Sequence, residues 1–173
     1  MQIKIMLIGF LIGSSYLIGE YIYKMYVSRH RQINDLIRIL EIIRMDLSFG
    51  MYTLEEIFDR VGDKDSSVYS RFFKSMSYGL KSDDIGTLDE ILTCNIGILN
   101  KDTYLASKEV DEVNKLIATL GKSDVESQQR MIDLTIENLK KHTSETKEDI
   151  TKKGMLYKKL VTFVGIGVCI VLF

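Results

Sequence analysis

The chain contains no proline, and it has only two cysteines and two histidines among its 173 residues. Without proline nothing forces a break in a helix, and no low-complexity linker separates one part of the chain from another. Cys94 and Cys169 are too far apart to form a local motif, which agrees with a reducing compartment. His30 and His142 are isolated, so no metal site is predicted. The sequence therefore indicates a run of helices without a metal or a cofactor.

The chain also lacks an excess of either charge, with 23 basic and 24 acidic residues. A protein that binds nucleic acid needs a basic field that displaces counterions from the phosphate backbone. No such field extends over a domain here. We therefore expect no nucleic-acid partner.

Each end of the chain carries an uncharged apolar segment, Ile5–Gly19 at the start and Leu160–Phe173 at the end. A helix needs about 20 mostly apolar residues to cross a bilayer. The first segment reaches this length when Lys4 and Glu20 lie near its ends, where long charged side chains extend towards water. We therefore predict transmembrane helices at residues 3–23 and 157–173, with a cytosolic helical-bundle domain at residues 24–156 between them.

Two alternatives apply to these segments. A pair of buried terminal helices in a soluble bundle would require a polar face, which Val161–Phe173 does not have. A cleaved signal peptide would require a small-x-small cleavage site after the first apolar run, and none follows it. Gly9 and Gly13 form a G-x-x-x-G pair, a pattern that lets two membrane helices approach closely. Whether this pair forms a helix interface, and with it a homo-oligomer, stays open.

Basic residues flank the inner side of both apolar segments. The positive-inside rule then places the middle of the chain in the cytosol and both termini outside. On the outer sides only Lys4 is basic. The inner flanking residues are Lys24, Arg29 and Arg31 after the first segment and Lys152, Lys153, Lys158 and Lys159 before or within the second.

The middle of the chain has apolar residues at helical spacing, which predicts amphipathic helices with one buried face. We expect these residues to form the core of one domain. They are Ile33, Leu36, Ile37, Leu40, Ile43 and Leu47; Val68, Phe72, Phe73, Met76 and Leu80; Leu88, Ile91, Leu92 and Leu99; Ala106, Val110, Val113, Ile117 and Leu120; and Val125, Ile132, Ile136 and Leu139.

The ends of these helices are also marked. Gly50 and Gly121 are predicted stops, because glycine adopts the left-handed conformation at little cost. The predicted fold is all-α, an antiparallel bundle of about six helices whose first and last helices extend into transmembrane spans. Helix starts are predicted by three capping boxes, which pair Thr53 with Glu56, Thr87 with Glu90 and Ser123 with Glu126. At the last of these starts, either Ser123 or Asp124 is expected to cap the helix.

Residues that could carry chemistry do not converge. Gly121-Lys122-Ser123 resembles the end of a phosphate-binding loop, but Leu116 stands where that loop needs glycine, and a helix precedes it instead of a strand. A simple turn explains it better. No serine–histidine or cysteine–histidine constellation is present, so no enzyme is predicted. Solvated helix faces account for the carboxylates Glu41, Asp46, Glu55, Glu56 and Asp59.

Four short motifs follow one another along nearly the whole chain. They are Arg29-His30-Arg31-Gln32-Ile33, Leu47-Ser48-Phe49-Gly50, Leu120-Gly121-Lys122-Ser123-Asp124 with Gln128 behind it, and Leu156-Tyr157-Lys158-Lys159-Leu160. In this order they resemble motifs of the stage III sporulation protein AB family of endospore-forming bacteria. The L-G-x-S-D-x-x-x-Q turn is the most distinctive of them. The candidate structural and family-motif residues are Arg29, Arg31, Gln32, Gly50, Leu120, Gly121, Ser123, Asp124 and Gln128.

The chain departs from that family at several places. His30 stands where proline is usual in the first motif, and Thr53 and Glu55 stand where two prolines usually follow the aromatic-glycine pair. Tryptophan, which is frequent in the family's middle helices, is absent. Thr53 can cap the helix that proline would start, so the fold is not in question. What is in question is whether this chain keeps any surface role that the tryptophan has in the family.

The resemblance implies a non-catalytic platform in the channel, related to secretion systems, that links mother cell and forespore during sporulation. The family's soluble domain is similar to the cytoplasmic domains of the type II secretion and type IV pilus platform protein. The implied partners are the motor ATPase encoded with it and other membrane proteins of the channel, and the implied location is the mother-cell membrane around the forespore. The alternative is a membrane-anchored helical adaptor or regulator unrelated to secretion.

Overall fold

The computed structural model describes the backbone of residues 2–50, 52–63, 68–82 and 86–172. The side chains of residues 2–5, 7, 8 and 169–172 are not described. Within these limits all regular structure is helical, as the spacing of apolar residues predicts. The helices are α1 (Gln2–Phe49), α2 (Leu54–Gly62), α3 (Ser70–Lys81), α4 (Leu88–Asp102), α5 (Ser107–Thr119), α6 (Val125–Asp149) and α7 (Met155–Leu172).

A single π-helical turn, Ile150–Gly154, joins α6 to α7, so that residues 125–172 form one continuous helical run. Counted in this way, the described residues form six helical segments, which is the number predicted from the sequence. The π turn itself was not predicted. Such turns are short, wider interruptions of an α-helix and leave little trace in the sequence.

The chain divides into two compact units. A terminal unit contains residues 1–30 and 144–173, and a bundle unit contains residues 31–143. Helix α1 contributes its first part to the terminal unit and the rest to the bundle unit. Helix α6 is divided in the opposite order, with residues 125–143 in the bundle unit and residues 144–149 in the terminal unit. The boundary on α1 falls inside the Arg29-His30-Arg31-Gln32-Ile33 motif.

The bundle unit encloses one apolar core to which each of its helices contributes. Each fully buried leucine, isoleucine, valine, methionine or phenylalanine side chain stabilises the fold by about 1.5–3 kcal/mol relative to an exposed one. The Phe73 ring contacts Phe58 and Phe72, with centroids 5.6 and 5.2 Å apart. The least exposed core residues are Ile33, Leu36, Leu40 and Ile43 of α1, Ile57 and Phe58 of α2, Phe72, Phe73 and Met76 of α3, Ile91 and Leu99 of α4, Val113, Leu116 and Ile117 of α5, and Ile132 and Leu139 of α6.

Three predictions about single residues of this unit are wrong. Val68 and Val125 were assigned to buried helix faces, but both are exposed. The reason is local: Val68 lies in the turn before α3, and Val125 is the first residue of α6. Asp46 was placed on a solvated face, but it is buried and forms an ion pair with Arg60 at 3.2 Å. A burial set by a partner on another helix is not visible in the spacing of one helix.

The predicted helix stops and two of the three predicted capping boxes are present. Gly50 and Gly121 both adopt positive φ, at 61° and 75°. At the start of α2 the Thr53 hydroxyl accepts the Glu56 N–H, and the Glu56 carboxylate accepts the Thr53 N–H. At the start of α4 the Glu90 carboxylate accepts the Thr87 N–H at 2.8 Å.

The third predicted box, between Ser123 and Glu126, is wrong. Of the two expected caps it is Asp124 that caps α6, since its carboxylate accepts both the N–H and the hydroxyl of Ser127. At the start of α5, where Ala106 stands in place of a serine or threonine, the Glu109 carboxylate accepts the Ala106 N–H.

Candidate functional site

The terminal unit exposes large apolar side chains from both of its helices. Met6, Phe10 and Leu17 on α1 and Phe163 and Val164 on α7 are between 62% and 79% exposed. Apolar surface of this kind marks a contact with a membrane or with another protein. Within the described part of the chain, none of the helices combines the length and the hydropathy that crossing a bilayer requires. The side chains of residues 3–5, 7, 8 and 169–173, which belong to the predicted spans, lie outside that part.

Small residues let the two terminal helices approach closely. A Cβ atom at Gly165 would lie 2.4 Å from the Ser15 hydroxyl, and one at Gly19 would lie 3.1 Å from the Lys158 carbonyl oxygen. Gly9 and Gly13 have open space around them among the described residues. The G-x-x-x-G pair is therefore not part of this contact, and whether it forms an interface with another chain stays open.

An ion pair joins the same two helices. The Lys158 ammonium donates to the Glu20 carboxylate at 2.7 Å and lies 5.7 Å from the Tyr16 ring centroid and 5.5 Å from the Tyr23 ring centroid. An ammonium held over aromatic rings is attracted by their negative faces. Glu20, which follows the first apolar segment, and Lys158, which precedes the second, thus neutralise each other.

A groove of about 490 Å³ opens beside this ion pair. Its apolar wall comes from aromatic and aliphatic side chains of both helices, and two lysines lie along it. The lining residues are Tyr16, Tyr23, Met155, Lys158, Lys159, Thr162, Phe163 and Ile166.

The flanking lysines differ in their partners. Lys152 pairs with Glu148 and Lys153 pairs with Asp149, each within one turn of helix. Lys24 and Lys159 are exposed, and the ion pairs found among the described residues include neither of them. Three of the four lysines that flank the second apolar segment, Lys152, Lys153 and Lys158, are therefore paired with carboxylates.

The turn between α5 and α6 is held by one side chain. The Gln128 Oε1 atom accepts the Gly121 N–H at 3.0 Å, and Nε2 donates to the Ser123 carbonyl at 2.7 Å. Leu120 is buried ahead of the turn, while the Ser123 side chain is exposed. The bonds of Ser127 to Asp124 hold the pKa of the Asp124 carboxyl below its ordinary value. Four residues of the L-G-x-S-D-x-x-x-Q motif thus have structural roles here.

Gln32 has a comparable role near the start of the bundle unit. Its side-chain oxygen accepts the Tyr104 N–H at 2.6 Å, and its carbonyl accepts the Tyr69 hydroxyl at 2.8 Å. Burial raises the pKa of Tyr69. The neighbouring Arg31 is exposed and lies 4.0 Å from Asp35, while Arg29 is half-buried in the terminal unit.

A charged network that sequence reasoning missed joins α2 to α3. Lys74 donates to Asp59 at 2.8 Å and also pairs with Asp63, while Lys81 reaches Asp59 and Glu55. The bond from Lys74 holds the pKa of Asp59 below its ordinary value, and the same bond raises the pKa of Lys74. These groups are partly exposed, so the network adds little stability. Its ion pairs join residues of two different helices. A sequence indicates ion pairs only where the two residues lie four positions apart on one helix, so it does not show this network.

Exposed aromatic residues mark the end of α1. Met45, Phe49 and Tyr52 are all exposed, and Phe49 is 64% accessible. The Arg60 guanidinium lies 4.3 Å from the Tyr52 ring centroid while it pairs with the buried Asp46. We call Met45, Phe49 and Tyr52 the tip surface.

The described side chains include no group of three or more histidine, cysteine, aspartate or glutamate residues placed to hold a metal ion. His30 contacts the Thr146 hydroxyl at 2.9 Å, and Cys94 is an exposed free thiol.

Taken together, the described part is an all-helical protein in which the distinctive polar residues Gln32, Asp124 and Gln128 hold turns and helix ends in place. A model of the stage III sporulation protein AB family matches residues 4–173, so the chain belongs to that family. Membership implies a role in sporulation and confirms the relationship that the four sequence motifs indicate. No curated protein and no solved structure matches the chain.

Proposed function

We propose that this protein is a non-catalytic platform of the channel complex between mother cell and forespore, held in a membrane by its paired terminal segments. The exposed apolar surface of the terminal unit, including Phe10, Leu17 and Phe163, is the observation that carries this proposal. Exposing that much apolar surface to water is unfavourable in free energy, whereas placing it in the interior of a bilayer is favourable. Family membership supplies the link to sporulation.

The absence of catalysis is proposed on the roles that the polar side chains already have. Gln128 closes a turn, Gln32 joins two loops to α1, and Lys74 links α2 to α3. In this proposal the bundle unit acts through its surface. The resemblance to secretion platforms makes the motor ATPase encoded with it the proposed partner, and the tip surface, with its accessible aromatic rings, the proposed contact.

Flotation of the full chain with phospholipid vesicles tests the membrane part. We expect the wild type to float, and the double variant Phe163→Asp with Val164→Asp to stay in the dense fraction. Leu134→Asp is the control, since Leu134 is also an exposed apolar residue but belongs to the bundle unit. If the Phe163 and Val164 variant floats as the wild type does, the terminal surface is not the membrane contact.

Orientation has its own test. The lysine and arginine residues on the inner flanks of the two apolar segments favour a cytosolic bundle unit. A reporter that is active only outside the membrane, fused at Gly121, should therefore be silent. An active reporter at this position would contradict docking of a cytosolic motor and would favour the alternative of an adaptor unrelated to secretion.

A further inference from the structure

The groove between the terminal helices has the two halves of an amphiphile-binding site. Phe163 and Ile166 of α7 and Tyr16 of α1 form an apolar wall, and Lys159 lies along the same groove. Phe163 is 71% exposed, so the wall is accessible and not filled by the protein itself. A ligand that matches this arrangement has an apolar chain and an anionic group.

Of the two lysines that line the groove, one is left for that anionic group. Lys158 is neutralised by Glu20, Lys153 by Asp149 and Lys152 by Glu148. The ion pairs of the described residues do not include Lys159, which is exposed. A single unneutralised ammonium beside an apolar groove between helices is the arrangement that attracts an anionic headgroup.

We propose that this groove binds one anionic phospholipid, with an acyl chain along Phe163 and Ile166 and the phosphate against Lys159. The proposal rests on the membrane association given under the proposed function and names the lipid class that the terminal unit selects. Glu20 fixes Lys158 in place, so Lys158 shapes the groove. The Lys159 ammonium provides the positive charge that binds the anionic headgroup.

The absence of tryptophan allows a direct measurement, because one introduced tryptophan becomes the only one in the chain. Phe163→Trp places it in the groove, and Val164→Trp places it on α7 at an exposed position that does not line the groove. The full chain is reconstituted in vesicles of equal phosphatidylglycerol and phosphatidylcholine. In one preparation the bromine quencher is on phosphatidylglycerol, and in the other it is on phosphatidylcholine, so the headgroup composition is the same.

At Phe163→Trp we expect quenching to give a relative association constant of about five in favour of phosphatidylglycerol, the factor expected for one lysine near a headgroup. At Val164→Trp the constant should be close to one. Adding Lys159→Gln to Phe163→Trp should bring its constant close to one as well. Lys152→Gln is the matched control, since it removes the same charge from an exposed lysine that does not line the groove.

Two results would overturn the proposal while the membrane association stands. One is equal quenching by the two brominated lipids at Phe163→Trp. The other is an equal loss of preference in Lys159→Gln and Lys152→Gln, which would show general attraction to a charged surface. Absence of quenching at both tryptophan positions would overturn this proposal and the proposed membrane association together. Circular dichroism of each variant confirms that the helices are intact.

Discussion

Gln128 closes the turn at Gly121 from both sides, since its side-chain oxygen accepts the Gly121 N–H and its side-chain nitrogen donates to the Ser123 carbonyl. The backbone at Gly121 has a φ of 75°, a conformation that residues with a Cβ atom rarely adopt. The Gln128 side chain is buried, so its two bonds are shielded from water. This relationship explains why a glycine and a glutamine seven positions apart occur in one motif.

The first prediction concerns this turn. Replacing Gln128 with leucine leaves the Gly121 N–H and the Ser123 carbonyl without their partner, which should lower the free energy of unfolding by about 1–3 kcal/mol. Gln129→Leu, at the neighbouring glutamine, is the control and should have a small effect. Thermal unfolding followed by circular dichroism measures both. Equal stability of the Gln128 and Gln129 variants would show that the two bonds do not support the fold.

Gly121 offers an independent check of the same turn. Gly121→Val should cost about 1–2 kcal/mol, because a β-branched residue is strained at positive φ. Gly97→Ala is its control: Gly97 lies inside α4, and an added Cβ meets nothing within 4 Å. Alanine favours a helix over glycine by up to about 1 kcal/mol, so Gly97→Ala should stabilise the protein. A Gly121→Val variant as stable as the wild type would contradict the role assigned to the positive φ.

The helices and most of the core could be predicted because their signals are local. Apolar spacing identified buried faces on α1, α3, α4, α5 and α6 but not on α2, whose start, like that of α4, was marked correctly by a threonine–glutamate box. At the start of α6 the sequence offered two caps, Ser123 and Asp124, and did not decide between them. Asp124 took that position because its two carboxylate oxygens accept both the N–H and the hydroxyl of Ser127.

What the sequence could not show depends on pairs of distant residues. The burial of Asp46 follows from Arg60 on α2, and the network around Lys74 joins residues of two helices. The close approach at Gly165 depends on Ser15, which is at the other end of the chain. Each of these requires the packing of the helices to be known first. Among the motif residues, Gln128 could be singled out from the family resemblance, but its bonding partners could not.

The second prediction is a pH dependence at the start of α6. The pKa of Asp124 is lowered in the folded state by its bonds to Ser127, from an ordinary value of 3.8. A lowered folded-state pKa means that the stabilisation is complete well above pH 3.8 and is lost as the pH falls through the folded-state pKa. Asp124→Asn can still cap the helix but cannot titrate. Its unfolding free energy should therefore fall less between pH 5 and pH 3 than that of the wild type.

Denaturant titrations at several pH values measure this difference. Ser123→Ala is the matched control, because the exposed Ser123 side chain does not make the cap, and its pH profile should follow that of the wild type. If Asp124→Asn and the wild type lose stability in parallel on acidification, the ionised form of Asp124 does not contribute.

The third prediction concerns the contact between the terminal helices. Gly165→Leu should destabilise the terminal unit by about 1–3 kcal/mol, because a Cβ atom there already meets Ser15 at 2.4 Å. Gly167→Leu, two residues further along α7, adds the same side chain where nothing lies within 4 Å. Resistance of the full chain to proteolysis in detergent micelles reports the difference. Similar resistance of both leucine variants would mean that α1 and α7 do not pack through Gly165.

The fourth prediction concerns the tip surface and its proposed contact with the motor ATPase. Large aromatic side chains provide most of the binding energy in protein interfaces, and truncating a central one typically costs about 2 kcal/mol or more. The double variant Phe49→Ser with Tyr52→Ser should therefore weaken capture of the motor ATPase by the full chain about 30-fold or more.

Val125→Ser with Leu134→Ser is the control, since it removes two exposed apolar side chains from α6 of the same unit. Both double variants must first show the unfolding temperature of the wild type, because Tyr52 also contacts Arg60. Undiminished capture by the Phe49 and Tyr52 variant would exclude the tip surface as the contact, and loss of capture in the control variant alone would place the contact on α6.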